Sequence, residues 1–222
     1  MSWFRFLVKQ VLPVEKPTGR EYEWYEMSFF SHSVGRAQKL MLCLDTPSFF
    51  KTWLLRPISS AVPIESKLGI YSMHLLILEE LVRLYDRALW SLRDVVRRIE
   101  TTNNVRDPVE LHVLPAQNPT VSLAEVSEFP YLHDVARHAI HSTEVFDVAI
   151  NNVKEAIDMV TQMSDLAAPQ YARDGEELNI IHQKALGSLR FNVITLQNLR
   201  ARSAALEARL RNQINLVSNV CN

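Results

Sequence analysis

The sequence predicts a mainly α (α+β) protein: long antiparallel helices in a coiled-coil-like stalk, with a small mixed N-terminal part. Three observations predict it. Apolar residues recur at heptad spacing in three long segments of the C-terminal two thirds. Prolines at 13, 17, 47, 57 and 63 keep the elements of the first third short. Glycine is scarce, with 5 in 222 residues, which disfavours phosphate-cradling loops and the tight hairpins of all-β barrels. The expected division is a small mixed α/β region over residues 1–65 and a long-helix bundle over residues 66–222.

The N-terminal run Trp3 to Leu12 is apolar but interrupted by Arg5 and Lys9, which is unlike a secretory signal. A segment docked on its own domain is expected there, with a membrane-surface segment as the alternative. Tyr22 to Phe30 is aromatic and loosely alternating, hence a strand; Lys39 to Leu44, stopped by Asp45-Thr46-Pro47, is a short buried strand. Phe49 to Leu55 has room for a helical turn or two before Pro57. Cys43 and Cys221 sit near opposite ends of the chain, and reduced thiols are expected.

From about Ser72 the period changes. Leu78, Tyr85, Leu92 and Ile99 are spaced by seven and interleaved with Leu81/Val82, Ala88/Leu89 and Val95/Val96, a seam on one helix. Glu79 with Arg83, and Asp94 with Arg98, supply i,i+4 pairs on its wet side. Asparagines and prolines between Thr101 and Thr120 break that helix. Ser122 with Glu125 offers a capping box for a short lead-in turn, and the second helix is expected from about Pro130 to Met163. Its seam is Leu132, Val135, Ala139, Ser142, Phe146, Ala149, Val153, Ala156, Val160 and Met163; the small residues in its first half let a partner helix approach closely. Asp174 with Glu177 is a second capping box, opening a third helix from about Gly175 with Leu189, Leu196, Leu199, Ser203, Leu206, Leu210 and Val217 on its seam.

The charges predict which helices are neighbours. Residues 121–165 carry eight acids against Arg137 and Lys154, a net of −6; residues 189–222 carry Arg190, Arg200, Arg202, Arg209 and Arg211 against Glu207, a net of +4. An acidic helix beside a basic one is favourable, more as a pairing rule than as a source of stability. The overall net charge of −1 gives no reason to expect nucleic acid.

Candidate sites are few. His138, His141 and Glu144 follow one another at i,i+3 and have the chemistry of transition-metal ligands. The preferred expectation is structural, with these groups flanking the seam and pairing with arginines across the bundle. His133 and Asp134 stand at the start of the same helix, where an acid suits the dipole. Cys43 is expected to be a core thiol, and Tyr85 and Trp90 core aromatics. The chain has no G-x-S-x-G, P-loop, H-E-x-x-H or C-x-x-C pattern. No catalytic residue is therefore assigned, an enzyme is not expected, and the metal-binding residues stay unassigned.

Three segments together resemble the cytosolic region of fungal CorA-like magnesium transporter proteins. They are His74 to Glu100, with Leu-Glu-Glu-Leu-Val-Arg-Leu-Tyr-Asp and Trp90-Ser91-Leu92-Arg93-Asp94; Leu132 to Glu144, with His133-Asp134 and His138; and Leu199 to Leu216, with Arg-Ala-Arg-Ser and Glu207-Ala208-Arg209-Leu210-Arg211. The resemblance covers about residues 70–222. It implies a stalk of long helices, assembly of identical or related subunits, and Mg²⁺ held by carboxylates between them. It also implies a position on the cytoplasmic side of a membrane, with the basic third helix near anionic lipid. The family's Gly-Met-Asn signature does not occur in this sequence. A stalk portion that does not conduct by itself is therefore expected, cytoplasmic if the chain is complete at Asn222. The alternative is a soluble helical-bundle protein that binds partners or co-assembles with full-length relatives.

Overall fold

The computed structural model describes residues 2–11, 22–34, 38–59, 69–105, 123–167 and 175–220. In chain order these form strands β1 (Ser2–Val11), β2 (Tyr22–Val34) and β3 (Gln38–Leu44), then helices α1 (Ser48–Ser59), α2 (Gly69–Val105), α3 (Leu123–Ala167) and α4 (Gly175–Val220). The protein is mainly α with a small antiparallel sheet at its N-terminus, as the periodicity requires. Cys221, the capping residues Ser122 and Asp174, and the segment from Pro108 to Pro119 lie outside the described residues.

The N-terminal run is a strand, not merely a docked segment. Its alternation explains why: Phe6 and Val8 are buried on one face while Trp3 and Arg5 stand exposed on the other. The sheet order is β1-β2-β3, and the register places Trp3 opposite Phe30 and Phe30 opposite Leu42. On the inner face Phe6, Phe29 and Phe50 of α1 form a chain of tilted rings with centroids 6.2 and 6.0 Å apart. Cys43 shares that face, half-buried, with its thiol pushed up by burial. Asp45 makes the turn from β3 to α1 at φ 55°, a left-handed conformation that Asp adopts more readily than most residues.

The expected seams are the core. Leu78, Tyr85, Leu92 and Ile99 of α2 are buried, as are Val135, Ala139, Phe146, Ala149 and Val153 of α3 and Leu189, Leu196, Ser203 and Leu210 of α4. The α3 helix begins seven residues before the expected Pro130, which it carries in its interior. A proline there forfeits one bond to the carbonyl four residues back, still within the first turns of the helix.

Helix directions follow from the contacts. Arg200 meets Asp147 and Ser203 meets Ala139, so α3 and α4 run antiparallel. Arg209 meets Glu100 and Arg202 meets Trp90, so α2 and α4 run parallel. The α4 helix packs along both, whereas α2 and α3 touch each other little. Between them lies β1, whose outer edge they seal: the Tyr85 hydroxyl of α2 donates to the Leu7 carbonyl at 2.8 Å, and the Asn152 amide of α3 donates to the Arg5 carbonyl. An edge strand with its free carbonyls taken by helices cannot template further pairing on that side.

Candidate functional site

The polar groups that the sequence singles out on α3 meet the sheet. Lys9 of β1 and Tyr22 and Trp24 of β2 come together because Lys9 pairs with Trp24 in the register. Helix α3 crosses this end of the sheet with Asp134, Arg137, His138 and His141.

Lys9 is only 7% exposed. Its ammonium lies 5.1 Å from the Tyr22 ring centre and 4.8 Å from that of Trp24, a cation–π clamp from two neighbouring aromatics. It also stands 3.4 Å from His141 Nδ1. Burial lowers its pKa to about 8; Asp134 opposes that shift and Arg137 adds to it. At neutral pH most of the amine is still protonated, with a larger neutral fraction than an exposed lysine carries.

His138 stacks on Tyr22 with ring centres 3.3 Å apart, and its Nε2 lies 3.1 Å from Asp134 Oδ2. Its Nδ1 is buried with no hydrogen-bond partner among the described residues. Desolvation first, and then the Lys9 charge, lower the His138 pKa to about 4 against the pull of Asp134. The ring is therefore neutral at physiological pH. Burial alone would raise the Asp134 carboxyl, but His138 and Arg137 outweigh it and hold the group below its usual range.

This arrangement decides what the two histidines face. They share one side of α3, but the cation beside them is the Lys9 ammonium, which opposes a metal ion at His141, and Asp134 engages His138 Nε2. Glu144 is exposed on the helix surface. Among the described residues no group of three His, Cys, Asp or Glu side chains is placed to hold a metal. The partner of the histidine face is the sheet, not arginines across the bundle. Chemically the cluster is a buried polar joint between sheet and helix, matched on the α2 side by Ser31 with His74 at 3.1 Å and by Gln10 donating to Ser91 at 2.8 Å.

The arginines of α4 divide. Arg200 reaches Asp147 of α3 at 2.5 Å, Arg209 forks onto Glu100 of α2, and Arg211 pairs with Glu207 on its own helix. The acidic and basic helices are neighbours, yet apolar seams join them, with Arg200–Asp147 as the ion pair between them among the described residues. Tyr85 is buried as expected. Trp90 is not a core residue: it is 38% exposed, its ring beside the Arg202 guanidinium. Sequence reasoning passed over Lys9, Tyr22 and Trp24. Their sequence signal is a lysine at an alternating position of an apolar strand, since Lys9 lies 132 positions from the His141 it meets.

No family model matches the chain, and no solved structure matches it. A stretch of 85 residues is 33% identical to a protein of Aspergillus versicolor named "Notoamide biosynthesis cluster protein M'", a match that covers 38% of this chain. The matched stretch spans 18% of that relative's length. No helix among the described residues is long and apolar enough to cross a membrane.

Proposed function

We propose that this chain is the cation-responsive stalk portion of a CorA-like divalent-cation (Mg²⁺) transporter, a part that assembles with copies of itself or with related subunits and does not conduct alone. The observation that carries this reading is an uncovered apolar stripe on α4. Ile180, Phe191 and Ile194 are 51%, 67% and 55% exposed. At 100° per residue they fall within a sector of about 60°. Large apolar side chains in one line on a long helix mark a surface for another protein, and a neighbouring copy's helix would cover it. Carboxylates for Mg²⁺ between copies are at hand on α3, where Glu144, Glu155 and Asp158 are exposed. Mg²⁺ takes oxygen ligands and retains several waters, so one or two carboxylates from each copy suffice. Bound cation would favour the closed arrangement of copies, and its loss the loosened one. The C-terminal arginines of α4 would lie near anionic lipid on the cytoplasmic side.

The test is the mass of the purified chain by sedimentation, in Mg²⁺ and in chelator. The expected result is a multiple of 25.5 kDa that falls on chelation and in Phe191→Asp and Ile194→Asp. A single-copy mass in both conditions would refute it.

A second reading, a helical-bundle protein that binds other partners, is favoured by the outer face of the sheet. Trp3, Leu40, Leu42 and Leu44 are all exposed there, in the same register row or next to it. A monomer indifferent to Mg²⁺ would leave that reading standing.

A further inference from the structure

The geometry points to an oxyanion site for a phosphate monoester in the groove between α2 and α4, independent of whether the chain is a stalk. The groove is a cavity of ≈ 180 Å³ lined by Leu89, Trp90 and Arg93 of α2 and by Arg202, Leu206 and Arg209 of α4. Two guanidiniums share one indole: Arg93 lies 4.3 Å and Arg202 4.7 Å from the Trp90 ring centre. The two cations are thus at most about 9 Å apart, comparable to the Debye length of about 8 Å at physiological salt, so water and ions screen their repulsion only in part.

Several other arginines of the bundle meet carboxylates. Arg83 holds Glu79 and Glu80, Arg137 holds Asp134, Arg200 holds Asp147, and Arg209 holds Glu100. Arg202 has no carboxylate partner among the described residues. The carboxylate nearest Arg93 is Asp94 at 3.9 Å, too far for a hydrogen bond. Trp90 cannot supply negative charge, and its Nε1–H is committed to Asp86 at 3.1 Å. Two planar donor forks beside one indole, neither hydrogen-bonded to a carboxylate among the described residues, match the oxygens of a phosphoryl group, which each fork can bind through two N–H bonds.

Size narrows the ligand. A volume of ≈ 180 Å³ is about six waters' worth at roughly 30 Å³ each and lies below the 300–1,000 Å³ of typical small-molecule pockets. It fits a phosphoryl group and the first atoms of its ester, not a whole nucleotide. The open side of the groove lets the rest of a molecule extend into solvent, so a free phosphate ester and a phosphate-bearing lipid headgroup are both sources of the same group.

The experiment uses the full chain at fixed ionic strength set with chloride. Glycerol phosphate and inorganic phosphate are titrated by calorimetry and by tryptophan fluorescence. The expected result is saturable binding that Arg202→Gln and Arg93→Gln each weaken about tenfold or more, the scale of a lost hydrogen bond to a charged group. Arg190→Gln, the same charge change on an exposed part of α4, is expected to leave it unaltered. Vesicles containing phosphatidic acid form the second arm. Retention abolished by Arg202→Gln supports the site and assigns the headgroup as its source. The proposal is overturned by absence of binding to all three probes, by equal weakening in all three variants, or by vesicle retention that survives both groove substitutions. Unchanged circular dichroism of each variant keeps misfolding out of the comparison.

Discussion

Tyr85→Phe tests the central feature of the fold, a sheet edge sealed by helices. The substitution removes one oxygen and keeps the ring, which is 2% exposed and packs against Phe146 with centroids 5.4 Å apart. The lost bond is the 2.8 Å donation to the Leu7 carbonyl on the free edge of β1. No strand among the described residues stands there to replace the donor, and the ring that remains blocks water from the same side. The cost is then that of an unmet buried acceptor, about 1–3 kcal/mol. For a chain of this size that corresponds to a fall in Tm of about 2–4 °C per kcal/mol. Urea unfolding followed by far-ultraviolet circular dichroism measures it, with an unchanged m-value expected because the same surface is exposed on unfolding. Tyr25→Phe is the internal reference. It removes an exposed hydroxyl bond to Glu23 on the same sheet and is expected to cost no more than about 0.5 kcal/mol. If Tyr85→Phe proves as mild as Tyr25→Phe, the Leu7 carbonyl is hydrated and α2 does not seal the edge.

Three further outcomes follow from the packing and the charges. Ala139 is fully buried with its carbonyl 3.4 Å from Ser203 Oγ, so Ala139→Leu is expected to force α3 and α4 apart at a cost of about 1–3 kcal/mol, measured as a shifted urea midpoint. Leu210, also fully buried on α4, is expected to lose about 2–5 kcal/mol as Leu210→Ala; a loss under about 1 kcal/mol would show that this end of α4 is not held in the core. His138 has its pKa lowered from 6.5 to about 4 in the folded chain. Between those values the unfolded chain binds more protons, so stability falls as pH drops from about 6.5 toward 4 and is unaffected by this group above that window. Tm measured across the window is expected to slope less in His138→Gln than in the parent, and identical slopes would show that the ring is not buried as described.

What the sequence made legible divides by range of interaction. The helix seams are local: a period of 3.5 to 3.6 residues requires only the chain's own spacing, and Leu78, Tyr85, Leu92 and Ile99 show it without knowledge of their partners. The start of α3 is less legible, because Pro130 reads as a helix start although a proline near the first turns needs only to forgo one hydrogen bond and α3 begins at Leu123. The strand character of Ser2–Val11 was hidden by reading Arg5 and Lys9 as interruptions of an apolar run. They are the alternate positions of a strand, and Arg5 pairs with Glu26 across it. The histidine face was visible as residues but not as a site. Its character depends on Lys9, and a buried lysine is tolerable only because Tyr22 and Trp24 arrive from another strand. Trp90 went wrong for the converse reason. Lying one residue past Leu89, it borrowed the seam's periodicity, while its side chain turns to the groove beside Arg93 and Arg202.

The separation of α2 from α3 explains where function can reside. Three seams of heptads would suggest a bundle in which every helix touches the other two. Instead β1 is wedged between α2 and α3, and α4 closes the opposite side. The wedge meets polar partners on both flanks: Tyr85 and Asn152 take its edge carbonyls, Ser91 takes Gln10, and His141 stands beside its one lysine. Those polar groups are therefore committed to joining two parts of one core. The groups left uncommitted lie on the outside: the apolar stripe of α4, the outer sheet face, and the arginines around Trp90. With the interior polar groups tied into the joint between sheet and helices, substitutions on those outer surfaces are where a change of function without a loss of stability is to be sought.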